Sequence, residues 1–422
     1  MLVVPFVYFL LLAWHFYRAE KQVGLAVFIA LLYAFSSGLS VLTVILGMRV
    51  GLSNITFLPT FLYCFLITVC LLPIHKWHGY FSKGIQPINS TKVLKVIAWI
   101  SLLYSIFYAI MSYGEMMNVL TGDMGQLRND MYGGIKQESW MSRMNPIVRI
   151  PASLFNMILG APWIMQFLFF FCIFVQKMPR KYGYMMLAGS LIGPIGSIVD
   201  VDRSGITYWI LGLVGCYLFF RPYIGQKARK ASLVIGTLLV GVFVLYLAAV
   251  TDSRFGERDA VGDLTASQAS AIGYLAQPFP MFCYMFNNFE RPFFYPGVMF
   301  PFLFEMLIPG GFGGVVEWQR MVSWRSGYEI GVFYTFLGTI MLGMGKIVMV
   351  LYSFIIGWGS NAILRRNKPQ VANLTKSFIY ILFATVTMLG LFGHYYAIAT
   401  RTFSIVFFLI LLSLISRVKE NQ

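Results

Sequence analysis

The feature that most constrains this chain is its succession of continuous apolar runs, most of them about 17–25 residues long and set between polar connectors. A helix rises about 1.5 Å per residue, so runs of this length match about 30 Å of hydrocarbon. Lipid offers no partner for backbone N–H and C=O groups, which leaves only helices and closed barrels as spanning structures. A barrel reads as short alternating strands, and these runs do not alternate. Only 11% of the residues are charged and 58% are hydrophobic, whereas a soluble domain carries roughly 25% charge. The expected fold is an all-α polytopic membrane protein, a single integral membrane domain over residues 1–422. The runs predict about eleven spans, near 2–17, 24–47, 56–74, 94–113, 152–175, 184–200, 206–221, 231–250, 340–363, 377–393 and 403–416. The first begins Met1-Leu-Val-Val-Pro-Phe without a basic lead, so it reads as a retained helix rather than a cleaved signal.

The net charge of +16 is a matter of sidedness. Connectors 18–21, 75–95, 177–181, 221–230, 365–376 and 417–419 hold 19 Lys and Arg against Glu20, with Glu420 just after the last of them. The other connectors, with Lys346, hold 13 Lys and Arg against 14 Asp and Glu. The positive-inside rule places the basic set in the cytoplasm, the N-terminus outside and Gln422 inside. The charge also suits anionic lipid, and no nucleic-acid motif accompanies it. Two large outer loops follow, at about 113–151 and 251–330. Within the second, Pro292–Pro309 is apolar and reads as an interfacial or re-entrant helix. Gly331–Met344 reads as the outer part of one long or bent helix with the span that follows. The five cysteines show neither disulfide pairing nor metal spacing.

Four constellations could carry chemistry. Asp200-Val-Asp202-Arg203-Ser204-Gly205 is a short outer turn with Arg203 at the start of a helix, where free N–H groups and a guanidinium together suit phosphate. Its bland alternative is an internal Arg–Asp pair that caps the turn. In the first outer loop, Arg149 stands just above a helix start, again suited to an anion, or simply solvated. The second loop gathers Arg254, Arg258, Glu290, Arg291, Glu317, Arg320 and Arg325 among many aromatics. Its arginine forks could grip a pyrophosphate, or pair with the acids beside them. His394 is the one outer histidine and titrates near neutrality when exposed; an interfacial hydrogen-bonding role is the alternative. Lys346 is the one charge inside a span, functional by default or snorkelling to the boundary. His15, His75 and His78 lie on the basic side, with nothing in the sequence to join them. There is no Walker motif, zinc spacing or cytoplasmic Asp-x-Asp for a nucleotide-sugar metal.

The whole-chain layout of ten to fourteen helices, 17% aromatics and two large outer loops, with Asp202-Arg203-Ser204-Gly205 opening a mid-chain span, resembles the Wzy-type polymerases of O-antigen and capsular polysaccharide repeat units. Some members carry an Arg-x10-Gly pattern in each large loop; Arg149 with Gly160 and Arg320 with Gly331 match it. The resemblance implies a polymerase/ligase type of membrane glycosyltransferase fold in a bacterial plasma membrane. It implies no cofactor and no metal. The substrates would be undecaprenyl-pyrophosphate-linked oligosaccharides presented in the bilayer, with a chain-length regulator protein as a further partner. A hydroxyl of one lipid-linked unit would attack the anomeric carbon of the growing chain, and lipid pyrophosphate would leave. Arg149, Arg203, Arg254, Arg320 and Arg325 are then the expected pyrophosphate ligands, and Asp202, Glu290, Glu317 and His394 the acid/base candidates. An O-antigen ligase and a lipid-linked oligosaccharide flippase are the competing readings.

Overall fold

The computed structural model describes residues 1–48, 55–122, 145–201, 203–232, 234, 236–238, 241, 251, 264–308, 315–326, 334–366 and 371–417. The protein is an all-helical, multi-pass membrane protein. Among the described residues seven helices are long and apolar enough to cross a bilayer, or eight when one bent pair counts as a single span. The sole sheet-like pairing described is an isolated bridge between Ile85 and Ala372. Of the expected spans, 231–250 lies largely outside the described residues; each of the others coincides with helix. The chain divides into two compact units.

The first unit comprises Met1–Ile85, Ala260–Leu264 and Gln268–Thr402. It holds α1 (Val3–Glu20), α2 (Leu25–Ile45), α3 (Phe57–Lys83), α10 (Ala266–Ala276, from Gln268), α11 (Pro278–Asn288), α12 (Pro301–Leu307), α13 (Val315–Ser326), α14 (Thr335–Met344), α15 (Lys346–Phe354), α16 (Ser360–Arg365) and α17 (Leu374–Leu389). Its core is aromatic. Tyr63 packs within 5.0–6.1 Å, centroid to centroid, of Phe9, Tyr33, Phe279 and Phe282, and all five rings are fully buried. Two of the buried tyrosine hydroxyls bond to backbone acceptors, as a dry interior favours. Tyr33 donates to the Thr387 carbonyl at 3.0 Å and Tyr380 to that of Ile74 at 2.8 Å. Pro280 has no N–H to offer the Ala276 carbonyl four residues back; Ser40 donates to that carbonyl instead, and Ser36 to that of Leu275.

The second unit comprises Gln86–Asp259, Thr265–Ser267 and Phe403–Gln422. It holds α4 (Lys92–Thr121), α5 (Pro146–Leu159), α6 (Pro162–Phe170, continued by a π-helical turn to Val175), α7 (Arg180–Gly189), α8 (Ile192–Val199), α9 (Ser204–Phe220) and most of α18 (Ala399–Arg417). α5 and α6 meet at 59°, where Pro162 opens α6 and cannot continue α5. Small residues let the backbones close up, the usual device where lipid supplies no hydrophobic drive. At Gly189 a Cβ would meet Ser101, and at Gly205 it would meet Ser197 and the Gly193 carbonyl. All five cysteines are buried and free.

Stretch 251–330 departs from the expectation of a loop. Its described part is mostly helix, α10 to α13. Pro278 and Pro301 start helices there rather than break them, because the first helical position needs no N–H. The described part of Pro292–Pro309, up to Ile308, is an extended segment, a 3₁₀ turn at Pro296–Val298 and α12. Phe294, Phe300, Leu303, Met306 and Leu307 on it are exposed, as an apolar segment facing lipid would be. The span expected at 340–363 is broken at Gly345, whose φ of +95° only glycine adopts freely. α14 and α15 abut there, so the long helix is sharply interrupted.

Candidate functional site

The sequence-predicted residues fall in both units. In the first, residues 289–295 run extended beside the unwound end of α14. The amides of Phe293 and Tyr295 donate to the Leu342 and Gly343 carbonyls, both at 2.8 Å. The break at Gly345 leaves α14 carbonyls without helical partners, and this segment satisfies them. α13 leans on the same segment. Its Trp318 is buried, stacks on Tyr295 at 5.4 Å and 21°, and donates from Nε1 to the Phe293 carbonyl at 3.1 Å. Val322, one turn on, is also buried. Gln319 donates to the Tyr334 hydroxyl at 2.6 Å.

The remaining face of α13 points away from that anchor. Arg320, Trp324 and Arg325 are exposed, Trp324 to 83%. Arg320 and Trp324 are one turn apart on the side opposite Trp318, so a guanidinium fork neighbours an indole there; Arg325, seven residues after Trp318, is exposed where the anchored stripe runs on past Val322 at the end of the helix. Arg and Trp together are what a headgroup-level helix face presents. Glu317 is half-buried and sits three residues before Arg320 on this helix. Glu290 and Arg291 are both exposed, at the start of the extended segment. Lys346 is half-buried, with its ammonium 4.3 Å from the centre of the Phe286 ring.

His394 lies in the turn between α17 and α18 and is buried. Its backbone N–H donates to Thr339 Oγ1 at 3.0 Å, and Tyr352 and Tyr396 set their rings edge-on to it. Its Nδ1 has no hydrogen-bond partner. Burial pushes the imidazole down to about 3, because a charged ring there would lose its hydration. It is neutral at physiological pH and a weak base. Arg401 closes the turn, donating to the Tyr395 carbonyl at 2.9 Å with its guanidinium 4.1 Å from the Tyr395 ring centre.

In the second unit, Arg203 immediately precedes α9 and is half-buried. Its Nη1 donates to Thr251 Oγ1 at 2.8 Å, and its carbonyl accepts from the Thr207 amide and hydroxyl. Val201, two residues earlier, holds φ +47°, a strained conformation for a β-branched residue that costs about 1–2 kcal/mol. Gly205 has a packing role that the sequence did not disclose: it admits Ser197 and the Gly193 carbonyl of α8 against α9. Arg149 is half-buried in the first turn of α5, whose start is capped by Asn145 accepting from the Ile147 amide. Asp202, Arg254, Arg258 and Gly331 lie outside the described residues.

Among the described residues no group of three or more His, Cys, Asp or Glu is placed to hold a metal ion. The cluster that sequence reasoning missed is on the basic-connector side, where Glu20 meets His75. Residues 55 positions apart carry no local signal that packing will join them. Comparison of the chain with protein-family models, with curated proteins and with solved structures finds no match.

Proposed function

We propose that this protein polymerises lipid-linked oligosaccharide repeat units at the outer face of a bacterial plasma membrane. In this reading it moves the growing glycan from undecaprenyl pyrophosphate to the non-reducing end of another lipid-linked unit. The observation that carries it is α13, where Arg320 and Trp324 are exposed opposite the buried Trp318 and Val322 and Arg325 is exposed at the end of the same helix. A lipid pyrophosphate needs fixed cations at headgroup level and a flat apolar surface beside them for a sugar ring. Arginine meets the first need bidentately, and Trp324 meets the second. The apolar, exposed α12 in the same unit would keep such a face close to lipid.

The chemistry asked of the protein is modest. As the acceptor hydroxyl forms its bond to the anomeric carbon, negative charge grows on the departing pyrophosphate, and guanidinium groups already in place stabilise it. The hydroxyl's proton passes to a carboxylate. Glu317 is favoured by sharing a helix with Arg320 and by partial burial, and Glu290 is the alternative. His394 suits this work less, since burial makes it a poor proton acceptor. Arg203 has independent support as an anion ligand: a half-buried guanidinium before a helix start, next to a strained Val201.

Deleting the gene in its host and resolving the surface glycan by size tests the reading. Polymerase action predicts the loss of long chains and the survival of single repeat units. Unchanged long chains refute it. Long chains retained on the lipid carrier would instead identify a ligase.

A further inference from the structure

The connector end of α1 carries a buried acid that the outer-face reading does not use. Glu20 is the last residue of α1, beyond its apolar run, and its side chain is 3% exposed. Its Oε1 lies 2.8 Å from His75 Nδ1, and its Oε2 has no hydrogen-bond partner. His78 Nδ1 is 3.9 Å from Oε2, too far to bond. On the far side of that ring, Gln22 Nε2 lies 2.7 Å from His78 Nε2. With the Gln22 amide donating, His78 is neutral and turns its Nδ1–H toward the carboxyl. Phe16 stacks on His75 at 4.4 Å, with His15 6.3 Å away. Gly24 leaves Oε2 its room: a Cβ there would collide with it.

An ionised carboxylate in this setting would have one oxygen dry and undonated, an expensive arrangement. A carboxylic acid fits the same atoms: Oε1–H donates to His75 Nδ1, and Oε2 is left as an uncharged carbonyl. Of the neighbours on other elements, His75 and His78 come from α3, and Tyr380 of α17 is near enough to sense the Glu20 charge. No Lys or Arg forms an ion pair with Glu20 among the described residues. The group is not placed to hold a metal ion.

We propose that Glu20, His75 and His78 form a proton-binding site that clamps the end of α1 to α3 when loaded and loosens that junction when emptied. The ligand is one proton, taken up by the Glu20 carboxyl and shared with His75 Nδ1. The proposal does not depend on the glycan reading. Burial pushes the Glu20 carboxyl up to about 8, so the site would empty in the neutral to mildly alkaline range. The folded protein then holds this proton where an unfolded chain has released it. The stabilisation is complete below about pH 4.5 and is lost as pH rises through about 8.

The test uses the purified full chain in lipid nanodiscs. Wild type should lose thermal stability between about pH 6.5, above which unfolded histidines no longer take up protons, and about pH 8, its Tm dropping by on the order of 5 °C. Glu20→Gln, which mimics the loaded acid, should hold its acid-side Tm across that window. Infrared spectroscopy gives a readout that needs no variant to fold. A buried carboxylic C=O band should be present in wild type at about pH 6 and vanish above about pH 9. Parallel Tm profiles for wild type and Glu20→Gln, or no such band at about pH 6, overturn the proposal. A profile shifted by EDTA also overturns it, by showing that a metal fills the site.

Discussion

Replacing Trp318 by alanine should release α13 from the segment it leans on. The side chain is 1% exposed, stacks on Tyr295 and donates to the Phe293 carbonyl. Truncating a buried Trp costs about 3–5 kcal/mol. Within that, the ring pair contributes about 0.5–1.5 kcal/mol and the hydrogen bond about 0.5–1.5 kcal/mol. Local opening of α13 should therefore become roughly 10²–10⁴ times more frequent. Limited trypsin digestion in micelles reads this directly, because Arg320 and Arg325 sit on the helix and are cut only when it opens. Trp318→Phe keeps the ring but loses the N–H, and should raise cleavage by roughly tenfold. Trp324→Ala removes an indole that is 83% exposed, and should stay within about 0.5 kcal/mol of wild type. Wild-type digestion of Trp318→Ala, or equal digestion of the two alanine variants, would refute the anchoring role.

Other consequences follow from the same geometry. Arg320→Ala and Arg325→Ala, each with expression verified, should shorten or abolish the glycan ladder on gels while leaving stability within about 0.5 kcal/mol of wild type; full ladders from both remove their assigned roles. Gly205→Ala puts a methyl group against Ser197 and the Gly193 carbonyl and should destabilise by about 1–3 kcal/mol in thermal melts, with partial rescue in Ser197→Ala/Gly205→Ala. His394 is held neutral by burial, its pKa pushed to about 3. An unfolded chain takes up that proton from about pH 6.5 downward, so the stability His394 allows is intact above that value and is lost as pH falls toward 3. A His394→Gln variant should flatten the acid limb of the Tm profile.

The membrane class and most of the helices were legible because lipid leaves the sequence little freedom: a run long enough to cross must be helix. The Pro-rich, charge-rich stretch after Thr251 was harder. Proline marks both helix starts and helix breaks, and at Pro278 and Pro301 it marks starts. The amphipathic signal of α13 was present, in Trp318 and Val322 four residues apart, but charged neighbours on the other face diluted it. The interruption at Gly345 depends on a positive φ that composition does not reveal. Arg203 stands before a helix as its sequence context suggested. His394, by contrast, is interior rather than surface, because two tyrosines fold over its turn. The Glu20–His75–His78 cluster exists only once α1 and α3 pack, and no local pattern announces a contact made at that distance in sequence.

Reconstitution tests the central claim most directly. The purified protein in proteoliposomes, supplied with undecaprenyl-pyrophosphate-linked repeat units alone, should generate a ladder of lengthening glycans. It should release one undecaprenyl pyrophosphate for each unit joined, and Arg320→Ala should slow both together. A wild-type preparation that folds, binds the lipid-linked unit and releases no pyrophosphate would contradict the polymerase account.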